Sequence, residues 1–256
     1  EKYNKAKKPI IVIDEDVVSS EAVKLIASIA LIAGKVGAAY RGIILARTKN
    51  NSQGAVDMGF ALPADAVAKG VESGKIKALV IIGENPAFYA ENAAILNKVP
   101  FLAVYDMFMT ETAKAANVVV PMVSEIGSEG TYTRSDRGIQ EIGEGVAMND
   151  EDNLDTLLGV LQAFGSSLIS IEDVREASAK EIPTYGGLDV APFDSEAIYW
   201  PNSKSTPRGT QVLYTDGFAT ADKKAVLAAV ADGALFVTKP AYDSIEQYFA
   251  KVACGC

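Results

Sequence analysis

Residues 47–59 carry more groups suited to ligand chemistry than any other part of this 256-residue chain. Arg47 opens the run with a planar guanidinium, which can form two charge-assisted hydrogen bonds to one carboxylate. Three amide side chains offer paired donors and acceptors, and two glycines permit close approach of the backbone to another group. These residues are Asn50, Asn51, Gln53, Gly54 and Gly59. The run indicates a polar binding site, with a loop that satisfies its own backbone as the alternative.

Two later segments place further polar groups directly after predicted strands. Gly83, Glu84 and Asn85 follow the apolar run Ala78–Ile82, and residues 106–113 follow the apolar run Phe101–Tyr105. The second segment contains Asp106, Thr110 and Thr112. Because ligands of parallel α/β sheets bind where loops leave the carboxyl ends of strands, both segments are predicted binding loops.

The elements that position these segments alternate between strand and helix. Apolar, β-branched runs predict strands at residues 8–13, 78–82, 101–105 and 118–120. The first strand has the profile of a strand covered on both faces. Apolar spacing of three and four residues predicts a helix capped by Ser19 or Ser20, and others at residues 64–72, 91–97 and from Thr110. The alternation predicts an α/β fold, a mainly parallel sheet with helices on both faces.

The residue pattern changes beyond Gly145, and an α-rich extension is predicted to follow the α/β domain. We place the α/β domain at residues 1–165 and the extension at residues 166–256. Predicted helices lie at residues 154–164, 170–179, 223–231 and 242–252, with an acidic turn at 149–153 and a strand at 234–237. Residues 183–207, rich in Pro, Gly, Ser and aromatic side chains, are predicted to be an ordered segment that packs on the main domain.

Composition excludes several classes of function. The net charge of −9 and pI near 4.7 oppose binding to nucleic acid or to an anionic membrane surface. No apolar run approaches the roughly 18–20 residues needed to span a bilayer. The chain contains no histidine, which removes the usual general base near pH 7. Its two cysteines, Cys254 and Cys256, cannot by themselves supply the four thiolates of an iron–sulfur cluster, so no metal site is expected.

The polar segments occur in an order and spacing that resemble the molybdopterin oxidoreductases. The resemblance covers roughly residues 9–164. Within this family, the chain is similar both to formate dehydrogenase catalytic subunits and to the large iron–sulfur subunit of respiratory complex I. It rests on residues 47–59, 83–86, 106–113, 116–121, 129–133 and 136–140. Because the cluster-binding front of that family is not recognisable, we expect the middle and rear of a longer protein.

The resemblance implies roles for the polar residues. Arg47 is implied to orient an anionic substrate, provided that molybdenum is present, and the amide-rich run is implied to lie beside the pterin. The implied cofactor-binding residues are Asn50, Asn51, Gln53, Gly54, Gly83, Glu84, Asn85, Asp106, Thr110 and Thr112. Asp106 is implied to pair with guanine, and Thr110 is either a phosphate or ribose contact or a plain helix N-cap.

Several departures from the family pattern favour a scaffold role. Carboxylates at Asp14, Glu15 and Asp16 stand where glycine-rich sequence is usual, and Gly138 stands where an arginine is common. Asn117 replaces a usual aspartate and Lys49 a frequent glutamine. The leading hypothesis is therefore a structural portion of a complex I-like subunit, without a redox centre of its own.

The alternative is the cofactor-binding half of a formate dehydrogenase that oxidises formate or reduces CO2. It would share a molybdopterin guanine dinucleotide with the missing front. A remote third option is a stand-alone nucleotide-binding module. The resemblance implies partner subunits of iron–sulfur and flavin or NADH type, and it places the iron–sulfur clusters on those partners or on the missing sequence. With only two cysteines in the chain, a cytoplasmic location is expected, and any contact with the inner face of a membrane would be made through those partners.

Overall fold

The computed structural model describes residues 1–60, 64–124, 128–142 and 153–227. The strands in these ranges are β1 Ile10–Asp14, β2 Gly42–Ala46, β3 Ala78–Ile82, β4 Phe101–Asp106, β5 Val118–Pro121, β6 Gly130–Thr133, β7 Gly138–Ile142 and β8 Ile198–Tyr199. The α-helices there are α1 Lys2–Lys5, α2 Ser20–Ile32, α3 Ser52–Asp57, α4 Ala64–Glu72, α5 Ala90–Leu96, α6 Glu111–Ala115, α7 Asn153–Ala163 and α8 Ile171–Glu181.

Five strands form parallel sheets joined by helices, which confirms the predicted α/β class. β1 pairs with β2, and β3, β4 and β5 form a second sheet in that order. Helix α2 connects the first pair, whereas α5 and α6 connect the strands of the second sheet. The Ser19 hydroxyl caps α2 by accepting a hydrogen bond from the Ala22 amide at 3.3 Å, as one of the two predicted caps.

The remaining strands form an antiparallel sheet that was not predicted. β6 and β7 make a hairpin in which Thr133 pairs with Ile139, and β8 adds to β7 by pairing Ile198 with Ile139. The hairpin turn lacks the Asn-Gly or Asp-Gly pair that signals such a connection in sequence. Arg137 instead adopts the left-handed conformation there, with φ of 71°.

Several boundaries differ from the sequence-based predictions. The run at residues 47–59 is not a loop throughout, because Ser52–Asp57 forms the short helix α3. The strand β2 before it is absent from the sequence-based prediction. A helix from Lys223 is wrong for residues 223–227, which are described and are not helical. The rest of that helix, the elements at 234–237 and 242–252, most of the acidic turn, and Cys254 and Cys256 lie outside the described residues. The domain boundary at residue 165 stays a prediction.

The expectation that the first strand is covered on both faces is wrong. Ile13 of β1 is only 3% exposed, whereas Ile10 and Val12 are 53% and 65% exposed. One face of β1 is therefore packed and the other is open. None of the helices within the described ranges is long and apolar enough to cross a bilayer.

Two buried clusters stabilise the fold. Leu102, Val104 and Ala113 join β4 to α6, beneath the loops that follow β3 and β4. The second cluster joins the hairpin to the segment at residues 183–207, which packs on the hairpin. Its buried members are Ile139, Tyr185, Leu188 and Ile198.

Tyr185 links the two parts of the second cluster, and its hydroxyl lies 2.7 Å from the Thr133 hydroxyl. Replacing Tyr185 by Phe leaves the buried Thr133 hydroxyl without this partner, so we expect a loss of about 1–3 kcal/mol in unfolding free energy. Urea denaturation measures the loss. Tyr214→Phe, at a ring 49% exposed, is the matched control. Equal losses in both variants would contradict the assigned role of this hydrogen bond.

The burial of Tyr185 also leads us to expect that the free energy of unfolding depends on pH. Burial raises the pKa of Tyr185 from 10.0 to about 12. The unfolded tyrosine ionises first, so its contribution to stability is present below pH 10 and is lost as pH rises towards 12. Wild type should therefore lose stability more steeply than Tyr185→Phe between these values. Parallel stability curves for the two proteins would show that this tyrosine contributes nothing to the alkaline transition.

Candidate functional site

A polar cleft of about 600 Å³ opens where β2 ends and the β6–β7 hairpin turns. Residues 47–50 form one wall, directly after β2, and the hairpin forms the other. The cleft is lined by Ile44, Arg47, Thr48, Lys49, Asn50, Tyr132, Arg134, Ser135, Asp136 and Gln140. The sequence-predicted residues Arg47 and Asn50 therefore share one cleft, together with Lys49.

Arg47 is held in place by three contacts. Its Nε donates to Gln53 Oε1 at 3.1 Å, and its Nη1 donates to Glu15 Oε2 at 2.5 Å. Its backbone amide donates to the Ser135 hydroxyl at 3.2 Å, which joins the two walls of the cleft. The Arg47 side chain is only 16% exposed. These contacts fix the guanidinium at the edge of the cleft.

Gln53 extends this arrangement away from the cleft. Its Nε2 donates to Asp57 Oδ1 at 2.9 Å, and the Asp57 carboxylate accepts from Arg137 Nη1 at 2.8 Å. The Arg137 guanidinium also lies 4.0 Å from the centroid of the Trp200 ring, a cation–π contact. A continuous series of hydrogen bonds, completed by this cation–π contact, thus runs from Arg47 to Trp200. This series of contacts joins the end of β2, helix α3, the β6–β7 hairpin and the segment at residues 183–207.

Asn51 and Gly54 bring α3 against the hairpin. Asn51 Oδ1 accepts from the Thr133 backbone amide at 2.9 Å. A Cβ atom added to Gly54 would lie 2.2 Å from that oxygen, so only glycine allows this approach. Gln53 and Gly54 are themselves buried. Asn51 Oδ1 and both polar atoms of the Gln53 side chain are therefore engaged in bonds within the chain.

The loops after β3 and β4 lie side by side, as the topology predicted. Ile82 pairs with Tyr105, and the Gly83 amide donates to the Tyr105 carbonyl at 2.8 Å. Gly83 has a φ of 63°, which a residue without a Cβ adopts at low cost. Glu84 forms an ion pair with Lys49, so this edge connects to the wall of the cleft.

Asn85 and Thr112 lock the two loops together. Asn85 Oδ1 accepts from the Thr112 amide at 3.1 Å and from its hydroxyl at 2.8 Å. The Thr112 hydroxyl also accepts from the Ala87 amide, and Thr112 is fully buried. The Asn85 amide donates to the Glu111 carboxylate and thereby lowers the pKa of that group. Asn85 and Thr112 therefore stabilise the loops after β3 and β4 through hydrogen bonds between those loops.

Asp106 and Thr110 make local hydrogen bonds at the start of the second loop. Asp106 Oδ1 accepts from the Phe108 amide at 2.9 Å, which tightens the turn after β4. The Thr110 hydroxyl accepts from the Ala113 amide at 3.2 Å, so Thr110 is the N-cap of α6. Of the two roles left open for Thr110, the structure supplies the cap.

The hairpin wall contains site residues that sequence reasoning missed. Arg134 bonds Asp136 through Nε and Nη2, both at 3.0 Å, and both side chains line the cleft. Gly138 provides the space for this arginine, since a Cβ atom there would lie 2.4 Å from Arg134 Nη2. The resemblance contained residues 136–140, but residue type alone did not show that Asp136 and Gln140 line the same cleft as Arg47. Glu15 was noted only as a departure from the family pattern.

Comparisons with known proteins identify the family that the sequence resembles. A family model described as molybdopterin oxidoreductase matches residues 1–150. The chain is 32% identical over 244 residues to the F420-dependent formate dehydrogenase subunit alpha of Methanocaldococcus jannaschii, covering 78% of this chain and 36% of that protein. It is 32% identical over 248 residues to formate dehydrogenase H of Escherichia coli, covering 78% and 34%.

A third relative is named for a different activity. The chain is 29% identical over 269 residues to the assimilatory nitrate reductase catalytic subunit of Bacillus subtilis, covering 85% of this chain and 38% of that protein. The chain thus spans about a third of the length of these curated relatives. Since the family model covers more than half of the residues, the chain belongs to the molybdopterin oxidoreductase family.

Proposed function

We propose that this chain is the cofactor-binding portion of a formate dehydrogenase-type oxidoreductase, in which Arg47 faces an anionic substrate. The observation that carries this proposal is the fixed position of Arg47 at the edge of a polar cleft. Its bonds to Glu15 and Gln53 use Nη1 and Nε, and Nη2 is the remaining nitrogen of the guanidinium. Two of the relatives described above are named formate dehydrogenases.

The residues around the cleft fit part of a molybdopterin guanine dinucleotide. Guanidinium, ammonium, hydroxyl and amide groups line it, and these groups donate hydrogen bonds to phosphate oxygens and to the carbonyl and ring nitrogens of a pterin. In this proposal the direct contacts are made by Lys49, Asn50, Arg134 and Ser135. Asp106 and Glu84, at the neighbouring loop edge, offer carboxylate acceptors to the guanine N1–H and amine.

Six other predicted ligands take a supporting role in this proposal. Five of them use side-chain polar atoms for hydrogen bonds within the chain: Asn51, Gln53, Asn85, Thr110 and Thr112. The sixth, Gly54, is in close contact with Asn51. Positioning matters because a guanidinium misplaced by about 1 Å orients a substrate poorly. Gln53 is the clearest case, since it bonds both Arg47 and Asp57.

The chemical contribution of this chain is binding and orientation. The cofactor, when bound, supplies the two-electron redox chemistry. Arg47 donates hydrogen bonds to an oxyanion but does not exchange protons, because its guanidinium stays charged. No imidazole is present among the 256 residues to act as a base. Proton movement at the substrate would therefore fall to carboxylates or to groups outside these residues.

The scaffold function remains the second candidate, and the Arg47–Glu15 pair is the observation that favours it. A guanidinium neutralised by a carboxylate, with side chains 16% and 26% exposed, also suits a purely structural role. Both candidates assign partner chains to the protein. The Methanocaldococcus jannaschii relative is named a subunit alpha, which supports that assignment.

Metal and nucleotide analysis of the intact native complex separates the two candidates. The cofactor-binding proposal expects stoichiometric molybdenum or tungsten, together with guanine nucleotide released by acid hydrolysis. Elemental analysis and chromatography of the hydrolysate measure these quantities on one sample. Iron supplied by partner clusters serves as the internal reference for intact complex. Full iron content without molybdenum, tungsten or guanine would favour the scaffold and reject cofactor binding.

An Arg47→Lys variant tests the substrate-facing role. Lysine keeps the charge but removes the planar fork, so we expect kcat/KM for formate to fall at least about tenfold, given roughly 1.5–3 kcal/mol for a charged hydrogen bond. Arg208→Lys is the matched control, because Arg208 pairs with Asp194 and Glu196 away from the cleft. Unchanged formate turnover in Arg47→Lys would show that Arg47 does not face the substrate.

A further inference from the structure

Glu15 occupies the position on Arg47 that an anionic ligand would use. The Arg47 guanidinium is proposed to bind a carboxylate, and in this structure it already binds one. Glu15 Oε2 lies 2.5 Å from Arg47 Nη1, and both side chains are mostly buried. With Nε bonded to Gln53 and one Nη1 hydrogen bonded to Glu15, a ligand that leaves both bonds in place has only the second Nη1 hydrogen and the two Nη2 hydrogens to bind.

The strand register explains why Glu15 makes this contact. Asp14, the last residue of β1, pairs with Ala46, the last residue of β2. The Glu15 amide continues the ladder by donating to the Ala46 carbonyl at 3.2 Å. Glu15 and Arg47 are thus the next residues on two adjacent parallel strands, and their side chains meet.

The two neighbouring carboxylates make different contacts. Asp14 Oδ1 accepts from the Asp16 backbone amide at 3.0 Å, and Asp16 Oδ2 accepts from the Thr48 hydroxyl at 2.7 Å. Asp16 has the same charge as Glu15 and lies one residue away, but it bonds the Thr48 hydroxyl and not Arg47. It therefore separates the effect of the Arg47 contact from the general effect of negative charge.

We infer that Glu15 is a specificity-determining residue, which competes with anionic ligands for Arg47. Its carboxylate neutralises the guanidinium and takes one of its donors, so a small carboxylate must displace Glu15 or bind a guanidinium that Glu15 has already neutralised. Either route weakens affinity for carboxylate anions. This inference rests on the proposed function, because it assumes that Arg47 faces the ligand.

Formate binding to the metal-free, 15N-labelled chain tests the inference. The probe is sodium formate, titrated against sodium chloride at constant ionic strength, and the readout is the Arg47 Nε–Hε resonance. The chain has six arginines, and Arg47→Lys identifies the relevant signal by its loss. Glu15→Gln removes the charge and keeps an oxygen acceptor, and Asp16→Asn is the matched control.

We expect Glu15→Gln to lower the dissociation constant for formate at least about tenfold, equivalent to about 1.4 kcal/mol. Asp16→Asn should stay within about twofold of wild type, because a surface charge change of this kind is worth little. Equal gains in both variants would overturn the inference. So would unchanged or weaker binding in Glu15→Gln, including no binding in any protein. If Glu15→Gln does not fold, as judged by circular dichroism, Glu15→Ala replaces it under the same criteria.

The outcome is distinguishable from the test of the proposed function. The titration uses the chain without metal or pterin, whereas cofactor content is measured on the native complex. Absence of molybdenum there would leave a Glu15→Gln gain in formate affinity intact as a property of Arg47. Absence of that gain would leave a positive cofactor analysis standing.

Discussion

The parallel register that pairs Asp14 with Ala46 determines the electrostatics of the whole cleft. It places Glu15 beside Arg47, so a guanidinium that is mostly buried gains a carboxylate partner at the point where both strands end. Without that partner, the burial of Arg47 would carry a large desolvation cost. A slip of one residue would turn Glu15 to the opposite face of the sheet. The register is therefore supported by the Arg47–Glu15 pair, and the position of that pair is set by the register.

The same interaction extends to residues far away in sequence. Gln53 and Asp57 connect Arg47 to Arg137, whose left-handed backbone costs about 1–2 kcal/mol. A glycine would avoid that cost, but Arg137 donates to Asp57 and contacts the Trp200 ring at 4.0 Å. A charged hydrogen bond of about 1.5–3 kcal/mol offsets the strain. The hairpin turn, and the segment that Trp200 belongs to, thereby contribute to the orientation of Arg47.

Sequence reasoning predicted the elements with clear periodicity and missed those formed by tertiary contacts. Helix α2 and strands β3 and β4 carry strong apolar patterns, and the structure confirms them. β2 is partly buried at all five positions and shows no alternation, and α3 is a short helix containing a glycine that packs on β6. In the site, residue type indicated a group of amides able to form hydrogen bonds and left open whether they bind a ligand or the chain itself. It did not indicate their partners, because Asn51 and Thr133 are 82 positions apart.

The contacts around the cleft differ in depth, and depth determines which of them a ligand can exchange. The pairs Lys49–Glu84 and Arg134–Asp136 have side chains 42–59% exposed, and such pairs contribute only about 0–1 kcal/mol. A polar ligand can replace either partner at little cost. Gln53, Thr112 and Thr133 are at most 5% exposed, so their bonds stay with the protein frame. The Arg47–Glu15 pair lies between these extremes. It is accessible enough to meet a ligand and buried enough that an exchange of partner has a substantial energetic consequence, so affinity is decided there.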